Sequence, residues 1–260
     1  MKQVDWMRLK APELRALAAQ NAIVILPIAA VEQHGPHLPV MTDTRLGHEV
    51  AIRAACLAYD TRPTIVTPVV WSGLSEHHIP YGGTLLVSHG TFRAILRDLV
   101  TTLLRNGFKD ILISNSHGGN ENAMRQIVDE LTTELPATLV ATTYPFEAGD
   151  AFNAILEDQP MIDHACEAET SMMLAVEPEL VDISDLAGVA TEMKPELWQV
   201  GRAAHRFRSM THGTANGVSG NPTRATAEKG EKLLNLAAQA LADLIVDPTT
   251  WEPDRDLRLA

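Results

Sequence analysis

Four short apolar runs, separated by stretches of helical periodicity, constrain the fold of this chain most strongly. The runs span residues 22–28, 64–69, 110–115 and 138–143. Continuously apolar runs rich in β-branched residues are typical of strands that are covered on both faces of a sheet. Apolar residues recur at three-to-four spacing over 44–58, 91–104 and 123–131. Strands that alternate with helices predict an α/β fold with a mostly parallel sheet and right-handed crossovers.

The second half of the chain adds two predicted helices and one long loop. Helical patterns run over about 164–175 and 226–246, and the tail after Pro248 has no regular pattern. The stretch from Trp198 to Arg224 fits neither a helix nor a strand, and we interpret it as an ordered functional loop. No fixed-period repeat and no Ser/Gly linker divides the chain. We therefore expect one domain over residues 1–260.

Composition and charge exclude several classes of protein. With 260 residues, 45% hydrophobic and 21% charged, the chain is neither disordered nor fibrous. Its 33 acidic and 21 basic residues give a net charge of −12, so we expect no nucleic-acid partner. Two cysteines without CxxC spacing predict free thiols in a reducing compartment. The longest apolar run is too short to cross a bilayer, so we expect no membrane contact and a cytoplasmic location.

Two predicted strand-to-helix loops carry residues that suit a metal ion. Glu32, His34 and Asp43 follow the first strand, and His117 follows the third strand, before Gly118 and Gly119. Ligands of open α/β sheets bind at the carboxyl ends of the strands, where these loops meet. In the alternative interpretation, Asp43 caps the next helix and the other loop residues are solvated. The two glycines favour a site, because they place no bulky side chain over it.

A third segment, residues 164–171, supplies His164, Glu167 and Glu169. If the segment begins a helix, one carboxylate enters the site while the other stays outside, and the sequence does not choose between them. Alternatively, both are solvated acidic residues that the helix dipole favours in a first turn. Mixed carboxylate and imidazole ligands suit Zn, Mn or Fe better than Cu(I) or Ca.

Five motifs in order resemble the creatininase (creatinine amidohydrolase) family. They are Glu32-Gln33-His34-Gly35-Pro36-His37-Leu38-Pro39, Thr42-Asp43, Asn115-Ser116-His117-Gly118-Gly119-Asn120, His164 to Ser171, and Gly217-Val218-Ser219-Gly220-Asn221-Pro222. The match runs from about residue 20 to about 240. The resemblance implies a three-layer α/β/α sandwich, a site for two divalent metal ions, hydrolysis of a non-peptide carbon–nitrogen bond, and a homohexamer by analogy alone.

The resemblance also implies roles for the site residues. Glu32 and His117 would bind one metal, His34 the second, and Asp43 would bridge the two. Creatinine-hydrolysing members use a Glu two positions after the third-strand histidine, where this chain has Gly119, so the last ligand role falls on Glu169. His164 resembles the proton-transfer histidine of the family.

Elementary chemistry supports such a site. Two cations roughly 3.5–4 Å apart can share a water, lower its pKa from about 15.7 toward neutrality and polarise the carbonyl that it attacks. A bridging ligand has to be a carboxylate, since its two oxygens can each face one metal, and Asp43 meets that need. Expulsion of an amine needs a proton, which an imidazole such as His164 can donate.

Other residues are candidates for the pocket. Glu76 and His77, in the loop after the second strand, and Gly118 are predicted to contact the substrate. The alternatives for the Glu76-His77-His78 loop are an exposed polar loop and, less favoured, metal binding by His77 or His78. His37 and His48 are predicted to orient neighbours or to be structural. Cys166 is a poor candidate for a nucleophile, and Trp71 and Trp198 are interpreted as packing residues.

The substrate is where this chain departs from creatinine-hydrolysing members. Those have an aromatic residue directly after the third-strand histidine and a Trp-Asp pair before the proton-transfer histidine, where this chain has Gly118 and the segment 159–161. We therefore expect a small cyclic amide, lactam or formamide rather than creatinine. Related members act on formamides of pyrimidine nucleotides, on peptide precursors of a redox cofactor and on a cyclic inositol ketone. The alternatives are carbon–carbon hydrolysis of a cyclic ketone and, least favoured, a non-catalytic scaffold.

Overall fold

Four parallel strands form the centre of the molecule. The computed structural model describes residues 2–192, 194, 200, 204–253 and 255–259. The strands are β1 (Ile23–Ile28), β2 (Thr64–Val66), β3 (Asp110–Asn115) and β4 (Thr138–Thr143). They pair in the order β2-β1-β3-β4, and every pair is parallel. The predicted sheet is confirmed, although β2 is shorter than the run that predicted it, because Pro68 cannot donate to a strand ladder.

Eight helices surround this sheet in the described part of the chain. They are α1 (Ala11–Ala19), α2 (Thr42–Ala58), α3 (His89–Arg105), α4 (Glu121–Glu134), α5 (Tyr144–Asn153), α6 (Glu167–Val176), α7 (Leu186–Val189) and α8 (Ala227–Val246). Short 3-10 turns lie at Trp6–Arg8, Glu76–Tyr81, Gly118–Asn120, Pro178–Leu180, Met210–His212, Pro222–Arg224, Pro248–Trp251 and Leu257–Leu259. The helices α1, α5 and α7 were not predicted. The described part of the 198–224 loop contains 3-10 turns and an isolated antiparallel bridge between Gly220 and Thr191. Trp198 lies outside the described residues.

The strands separate two hydrophobic cores, which makes the fold a three-layer α/β/α sandwich. Side chains alternate along β1: Ile23 and Ile25 pack into one core, and Val24 and Leu26 into the other. The first core is covered by α2, α5, α6 and α8. The second is covered by α1, α3 and α4. The predicted fold class is therefore confirmed, and none of the described helices is both long and apolar enough to span a bilayer.

The strand order places a crevice above β1 and β3. The chain leaves β1 for α2 on one face of the sheet and leaves β3 for α4 on the other face. Neighbouring loops that diverge in this way open a cleft at the carboxyl ends of the strands. The register pairs Ile28 with Asn115, so the loops after β1 and β3 start at the same level along the carboxyl edge of the sheet. The residues predicted to bind a metal follow these two strands directly.

Candidate active site

Four predicted site residues meet at the carboxyl edge of β1 and β3. His117 Nδ1 lies 3.1 Å from Glu32 Oε1 and 3.4 Å from Asp43 Oδ2. His34 Nε2 lies 3.3 Å from Asp43 Oδ1. All four side chains are almost completely buried. The structure thus places together the residues that two separate loops were predicted to contribute.

A cavity of about 230 Å³ opens directly onto this cluster. Its lining combines carboxylates, imidazoles and two glycines with several apolar side chains. The lining residues are Glu32, Asp43, His77, His78, Ser116, His117, Gly118, Gly119, Thr143, Pro145, Phe146, Ile162, Asp163, His164, Glu169 and Met210. A larger apolar cavity, of about 430 Å³, lies beside Trp6 and Trp71, but no titratable side chain lines it. The clustered carboxylates and imidazoles make the smaller cavity the candidate site.

The cluster divides into two sets of ligand atoms that share one residue. One set is Glu32, Asp43 and His117, and the other is His34, Asp43 and Glu169. Within each set the ligand atoms lie within 4.8 Å of one another, a spacing that could hold a metal ion. Three buried atoms, Glu32 Oε2, His34 Nε2 and Asp43 Oδ2, have no hydrogen-bond partner among the described residues. Buried polar atoms are normally satisfied, so their inward orientation fits a pair of cations.

Backbone carbonyls orient the two histidines of these sets. His34 Nδ1 lies 3.1 Å from the carbonyl of Glu32, and His117 Nε2 lies 3.3 Å from the carbonyl of Leu74. A carbonyl can only accept, so each of these nitrogens carries a hydrogen. The opposite nitrogen of each ring faces the carboxylates, where it would direct its lone pair at a cation bound among them. This arrangement is the usual one for histidines that bind metals.

Asp43 faces the site and does not cap α2. It lies in the first turn of that helix, but its side chain accepts no helix N–H of the described chain. Its two oxygens point apart instead, Oδ1 to His34 and Oδ2 to His117. One carboxylate thus faces both ligand sets, which is the geometry that a bridging ligand requires.

Glu169 enters the cavity, whereas Glu167 points away from it. Glu169 Oε1 lies 3.8 Å from His34 Nε2. Glu167 Oε1 accepts a hydrogen bond of 2.6 Å from Lys229 Nζ, and its Oε2 accepts one of 3.0 Å from the backbone N–H of Glu157. Its carboxylate is therefore fully engaged on the far side of α6. Of the two carboxylates between which the sequence did not choose, Glu169 is the one that lines the cavity.

The two glycines after His117 have different surroundings. A Cβ at Gly118 would meet no described atom within 4 Å, so this position is open to the cavity. A Cβ at Gly119 would lie 2.3 Å from His117 Nε2 and 2.4 Å from the carbonyl oxygen of Leu74. No side chain fits there without moving the backbone. A glutamate at position 119 is therefore excluded by packing, consistent with a ligand on α6 instead.

Opposing charges set the ionisation of the cluster. Burial opposes the charge on His117, but Glu32 and Asp43 outweigh burial and raise its pKa to about 10. Burial also acts against the charge on His34, yet Asp43 and Glu169 raise its pKa well above the usual value. Burial and then the neighbouring Asp43 raise the pKa of Glu169, against the effect of His34. The carboxylates thus require nearby positive charge, which an imidazolium or a cation supplies.

His164 lies at the inner wall with one nitrogen directed into the cavity. Its Nε2 donates a hydrogen bond of 2.7 Å to the carbonyl of Gln33, and its Nδ1 lies 3.7 Å from Glu32 Oε1. Burial, reinforced by the charge of His34, lowers the pKa of His164 well below its usual value. The ring is therefore neutral near pH 7 and can accept a proton at Nδ1.

The loop after β2 agrees only in part with prediction. His77 and Gly118 line the cavity, as predicted, but Glu76 is exposed outside it. The 3-10 turn over Glu76–Tyr81 directs consecutive side chains about 120° apart, so only some of them can face the cavity. His78 is the buried member, with Nε2 located 3.2 Å from Glu32 Oε1. The sequence placed His78 in the predicted pocket loop, with metal binding as a less favoured alternative, because no periodic pattern in so short a turn indicates which side chain faces inward.

The remaining expectations concern residues near the cavity. Cys166 is fully buried, and burial raises its pKa to about 12, which argues against a nucleophile. Both cysteines are free thiols, as predicted. His37 Nε2 lies 3.0 Å from Thr170 Oγ1 at the start of α6, which fits a structural role. Trp71, interpreted as a packing residue, is instead 53% exposed beside the apolar cavity, so that interpretation was wrong.

The fold and these contacts define the class of protein. It is a three-layer α/β/α protein with two adjoining carboxylate–imidazole sets at the carboxyl edge of its sheet. The family model described as creatininase, creatinine amidohydrolase, matches residues 7–245. The chain belongs to the creatininase family, as its motifs predicted.

Three known proteins illustrate the range of this family. The chain is 32% identical to the mycofactocin precursor peptide peptidase of Mycolicibacterium smegmatis, over 93% of this chain and 90% of that protein. It is 26% identical to the 3-dehydro-scyllo-inosose hydrolase of Thermotoga maritima, over 90% and 80% of the two chains. A crystal structure of creatinine amidohydrolase superimposes with a TM-score of 0.80 at 25% identity, covering 98% of this chain and all of that chain.

Proposed function

We propose that this protein is a binuclear metal-dependent amidohydrolase that cleaves the carbon–nitrogen bond of a small cyclic amide, lactam or formamide. Membership of the creatininase family makes a carbon–nitrogen hydrolase plausible. The observation that carries the proposal is the sharing of Asp43 between two ligand sets. Glu32 and His117 would bind one ion, and His34 and Glu169 would bind the other. Asp43 would bind both ions. Zn, Mn and Fe suit these donors.

The site residues would have separate roles in the reaction. Divalent ions in these positions would lower the pKa of water and polarise the substrate carbonyl. His164 can take a proton at Nδ1 and hand it to the departing nitrogen, because its other nitrogen is held by the Gln33 carbonyl. Burial of Glu32, Asp43 and Glu169 strengthens their electrostatic influence inside the cavity.

The cavity supports a small substrate. Its volume of about 230 Å³ is below the roughly 300–1,000 Å³ of ordinary drug-sized pockets. Phe146, Ile162 and Met210 contribute apolar side chains to its lining, and Gly118 places no side chain in it. A compact ring or a formyl group therefore fits, with the reacting carbonyl toward Asp43. The glycine in place of the aromatic residue of creatinine-hydrolysing members disfavours creatinine itself.

Two relatives suggest other substrates for the same site. The relative from Mycolicibacterium smegmatis is named as a peptidase, which extends the candidates to an amide bond of a peptide. The relative from Thermotoga maritima is named as a hydrolase of a cyclic ketone, which favours carbon–carbon cleavage as the alternative reaction. Only carbon–nitrogen cleavage releases an amine, so product analysis separates the two reactions.

The test combines metal analysis with a substrate panel. Protein purified without added metal or chelator is analysed for metal and then assayed for amine release from lactams, formamides and short peptides, with a cyclic ketone in parallel. We expect about two ions per chain, activity on at least one amide, and loss of both in Asp43→Asn. Asp98→Asn, a change on the exposed face of α3, is the matched control.

Either of two results would contradict the proposal. One ion per chain would remove the bridging role of Asp43. Absence of metal under every loading condition would leave a non-catalytic scaffold.

We further propose that the chain forms a homohexamer in the cytoplasm. The assembly follows from resemblance to the family, and the compartment from the two free cysteines. Light scattering should give a particle of about six times 28.3 kDa. A monomeric mass at micromolar concentration would contradict the assembly.

A further inference from the structure

Gln33 lies between the motif residues Glu32 and His34 and is almost completely buried, although it carries no charge and binds no metal in the proposed site. Its side chain reaches across to a different loop and to the segment around Gly217. Its backbone carbonyl contacts His164. One residue thus contacts three elements of the cavity wall, which suggests that it positions other groups.

Two contacts fix the orientation of the Gln33 amide. Oε1 accepts a hydrogen bond of 2.9 Å from the backbone N–H of Gly35. Nε2 donates a hydrogen bond of 3.1 Å to the carbonyl of Gly217. Since an N–H can only donate and a carbonyl can only accept, the oxygen and nitrogen of the amide cannot be exchanged. One amide hydrogen remains available.

The second hydrogen on Gln33 Nε2 lies near two ring nitrogens, and only one of these can accept a hydrogen bond from it. His164 Nε2 lies 3.1 Å from Gln33 Nε2, but it also lies 2.7 Å from the Gln33 carbonyl, to which it must donate. It therefore carries a hydrogen and cannot accept another. His78 Nδ1, 2.8 Å from Gln33 Nε2, is the acceptor that remains. An acceptor nitrogen has a bare lone pair, so His78 is neutral and holds its hydrogen on Nε2.

We infer that Gln33 is a positioning residue that fixes the tautomers of His78 and His164, its side chain acting on the first ring and its carbonyl on the second. His78 then directs its Nε2–H toward Glu32 Oε1, 3.2 Å away. This contact orients the carboxylate and leaves Oε2, which is unpartnered among the described residues, for a cation. His164 directs a bare Nδ1 into the cavity.

The inference deepens the proposed function and rests on it for its catalytic consequence, although the tautomers themselves follow from hydrogen bonding alone. Gly217 helps to position the Gln33 side chain. It has a φ of +84°, and a Cβ there would lie 2.0 Å from Gln33 Oε1, so only glycine lets the amide reach its partners.

The test is nitrogen NMR of protein labelled with ¹⁵N in its histidine rings, recorded in the solid state so that assembly size does not matter. His78→Asn and His164→Asn assign the two rings among the 10 histidines. In the wild type we expect protonated Nε2 and bare Nδ1 in both. Gln33→Met keeps the length of the side chain but removes the donor. In this variant His78 should lose its fixed tautomer while His164 keeps Nε2–H.

Two further variants provide an independent perturbation of Gln33 and a control. Gly217→Ala should displace the Gln33 side chain and reproduce the change in the His78 tautomer. This variant keeps the inference testable if Gln33→Met does not fold. Gln239→Met, on the exposed face of α8, is the matched control and should change neither ring. Zn²⁺ titration of metal-free protein should show affinity lowered about tenfold or more in Gln33→Met, with the saturating stoichiometry unchanged.

The outcomes separate the inference from the proposed function. A wild-type His78 with hydrogen on Nδ1, or a His78 tautomer that is unchanged in folded Gln33→Met and Gly217→Ala, would overturn the inference. The expected tautomers in a protein that binds no Zn²⁺ would support the positioning role and contradict the binuclear site. A loss of Zn²⁺ stoichiometry in Gln33→Met would show that Gln33 is a ligand and overturn its role as a positioning residue.

Discussion

Glu167 and Glu169 show how much the direction of a single side chain decides at this site. They are two residues apart on α6, and both are buried. Consecutive helical residues are about 100° apart, so the two carboxylates leave the helix on different faces. Ala165, in the left-handed region at φ +53°, sets where α6 begins and donates its N–H to Glu169 Oε2. The sequence contains both acids but not this backbone angle, which is why it could not choose between them.

The two glutamates should respond in opposite ways to the same substitution. Glu169→Gln is expected to lower metal stoichiometry and abolish activity with little loss of stability, because it removes a candidate ligand. Glu167→Gln should keep the metal and cost roughly 1–3 kcal/mol, because it weakens the buried contact with Lys229. Urea denaturation and metal analysis of both variants provide the comparison. Equal metal loss in both would contradict the assignment.

Gly118 and Gly119 offer a second matched pair. Gly119→Ala should disturb His117 and reduce metal affinity, since its Cβ would lie 2.3 Å from that ring. Gly118→Ala has open space around it and should leave metal affinity unchanged. Zn²⁺ titration of the two variants measures the difference. If Gly119→Ala binds as tightly as the wild type, the packing argument for a ligand on α6 fails.

The thiol of Cys166 should be inert in the native protein. Burial raises its pKa to about 12, so the reactive thiolate appears only as the pH rises toward that value. At pH 8 the thiolate is roughly one part in ten thousand. In a Cys56→Ser variant, a disulfide reagent at pH 8 should find no reactive thiol until denaturant is added. Rapid labelling of the native variant would contradict the burial and reopen the nucleophile alternative.

At this scale the motif residues were predictable and the pocket wall was not. Glu32, His34, Asp43 and His117 follow strands whose ends the sequence locates, and the sheet register then brings them together. Glu76 and His78 lie in one 3-10 turn, where no periodic pattern indicates which side chain faces inward. That Glu76 lies outside the cavity while His78 lines it depends on turn geometry, which residue types do not encode.

Among the elements, the crossing of α6 and α8 fixes in place the helix that carries Glu169. Gly230 of α8 approaches α6 so closely that a Cβ would lie 1.9 Å from the carbonyl oxygen of Ser171. Lys229, the preceding residue, reaches Glu167 at the start of α6. A small residue and a buried ion pair thus hold the two helices together, and α6 presents Glu169 to the cavity.

Substitution of glycine by alanine tests this crossing. Gly230→Ala should destabilise the fold by about 1–3 kcal/mol or more, because a backbone atom rather than a flexible side chain blocks the methyl group. Gly90→Ala, in the first turn of α3, meets no described atom within 4 Å and should be neutral or stabilising by up to about 1 kcal/mol. Thermal unfolding of both proteins measures the difference. Equal stabilities would show that the helices separate easily.

Strands were easier to predict than helices because of their surroundings. The strands β1 and β2 and nearly all of β3 are buried, and the half-buried β4 contributes Leu139, Val140 and Ala141 to the two cores. Each strand therefore has a short apolar run that is bounded by turns. The helix α5 was missed because it begins with Tyr144-Pro145 and is kinked at Gly149, which has a φ of +61°. The helix α1 was missed because alternating charged and apolar residues obscure its short apolar face. Local sequence patterns do not predict a helix where tertiary packing, rather than those patterns, determines the structure.

For the whole molecule, the cluster of buried carboxylates would couple stability to divalent cations if the proposed metal site is correct. A cation that binds only the folded chain stabilises it by about 2.7 kcal/mol at a concentration 100 times its Kd. For a chain of this length that corresponds to a rise in Tm of roughly 5–10 °C. We expect this rise on adding Zn²⁺ or Mn²⁺ to chelator-treated protein and a much smaller one in Asp43→Asn. An equal rise in both would place the stabilising cation elsewhere.

The candidate ligands come from three distant stretches of the chain: the loop after β1, the loop after β3 and the start of α6. A growing chain that has emerged only as far as β4 therefore has two of these stretches and lacks the third. The second ligand set needs Glu169, which is held in place by α8 near the end of the chain. Full loading of the proposed metal site would consequently report that synthesis and folding are complete. In a cell, occupancy of both positions would serve as a signature that separates finished molecules from truncated ones.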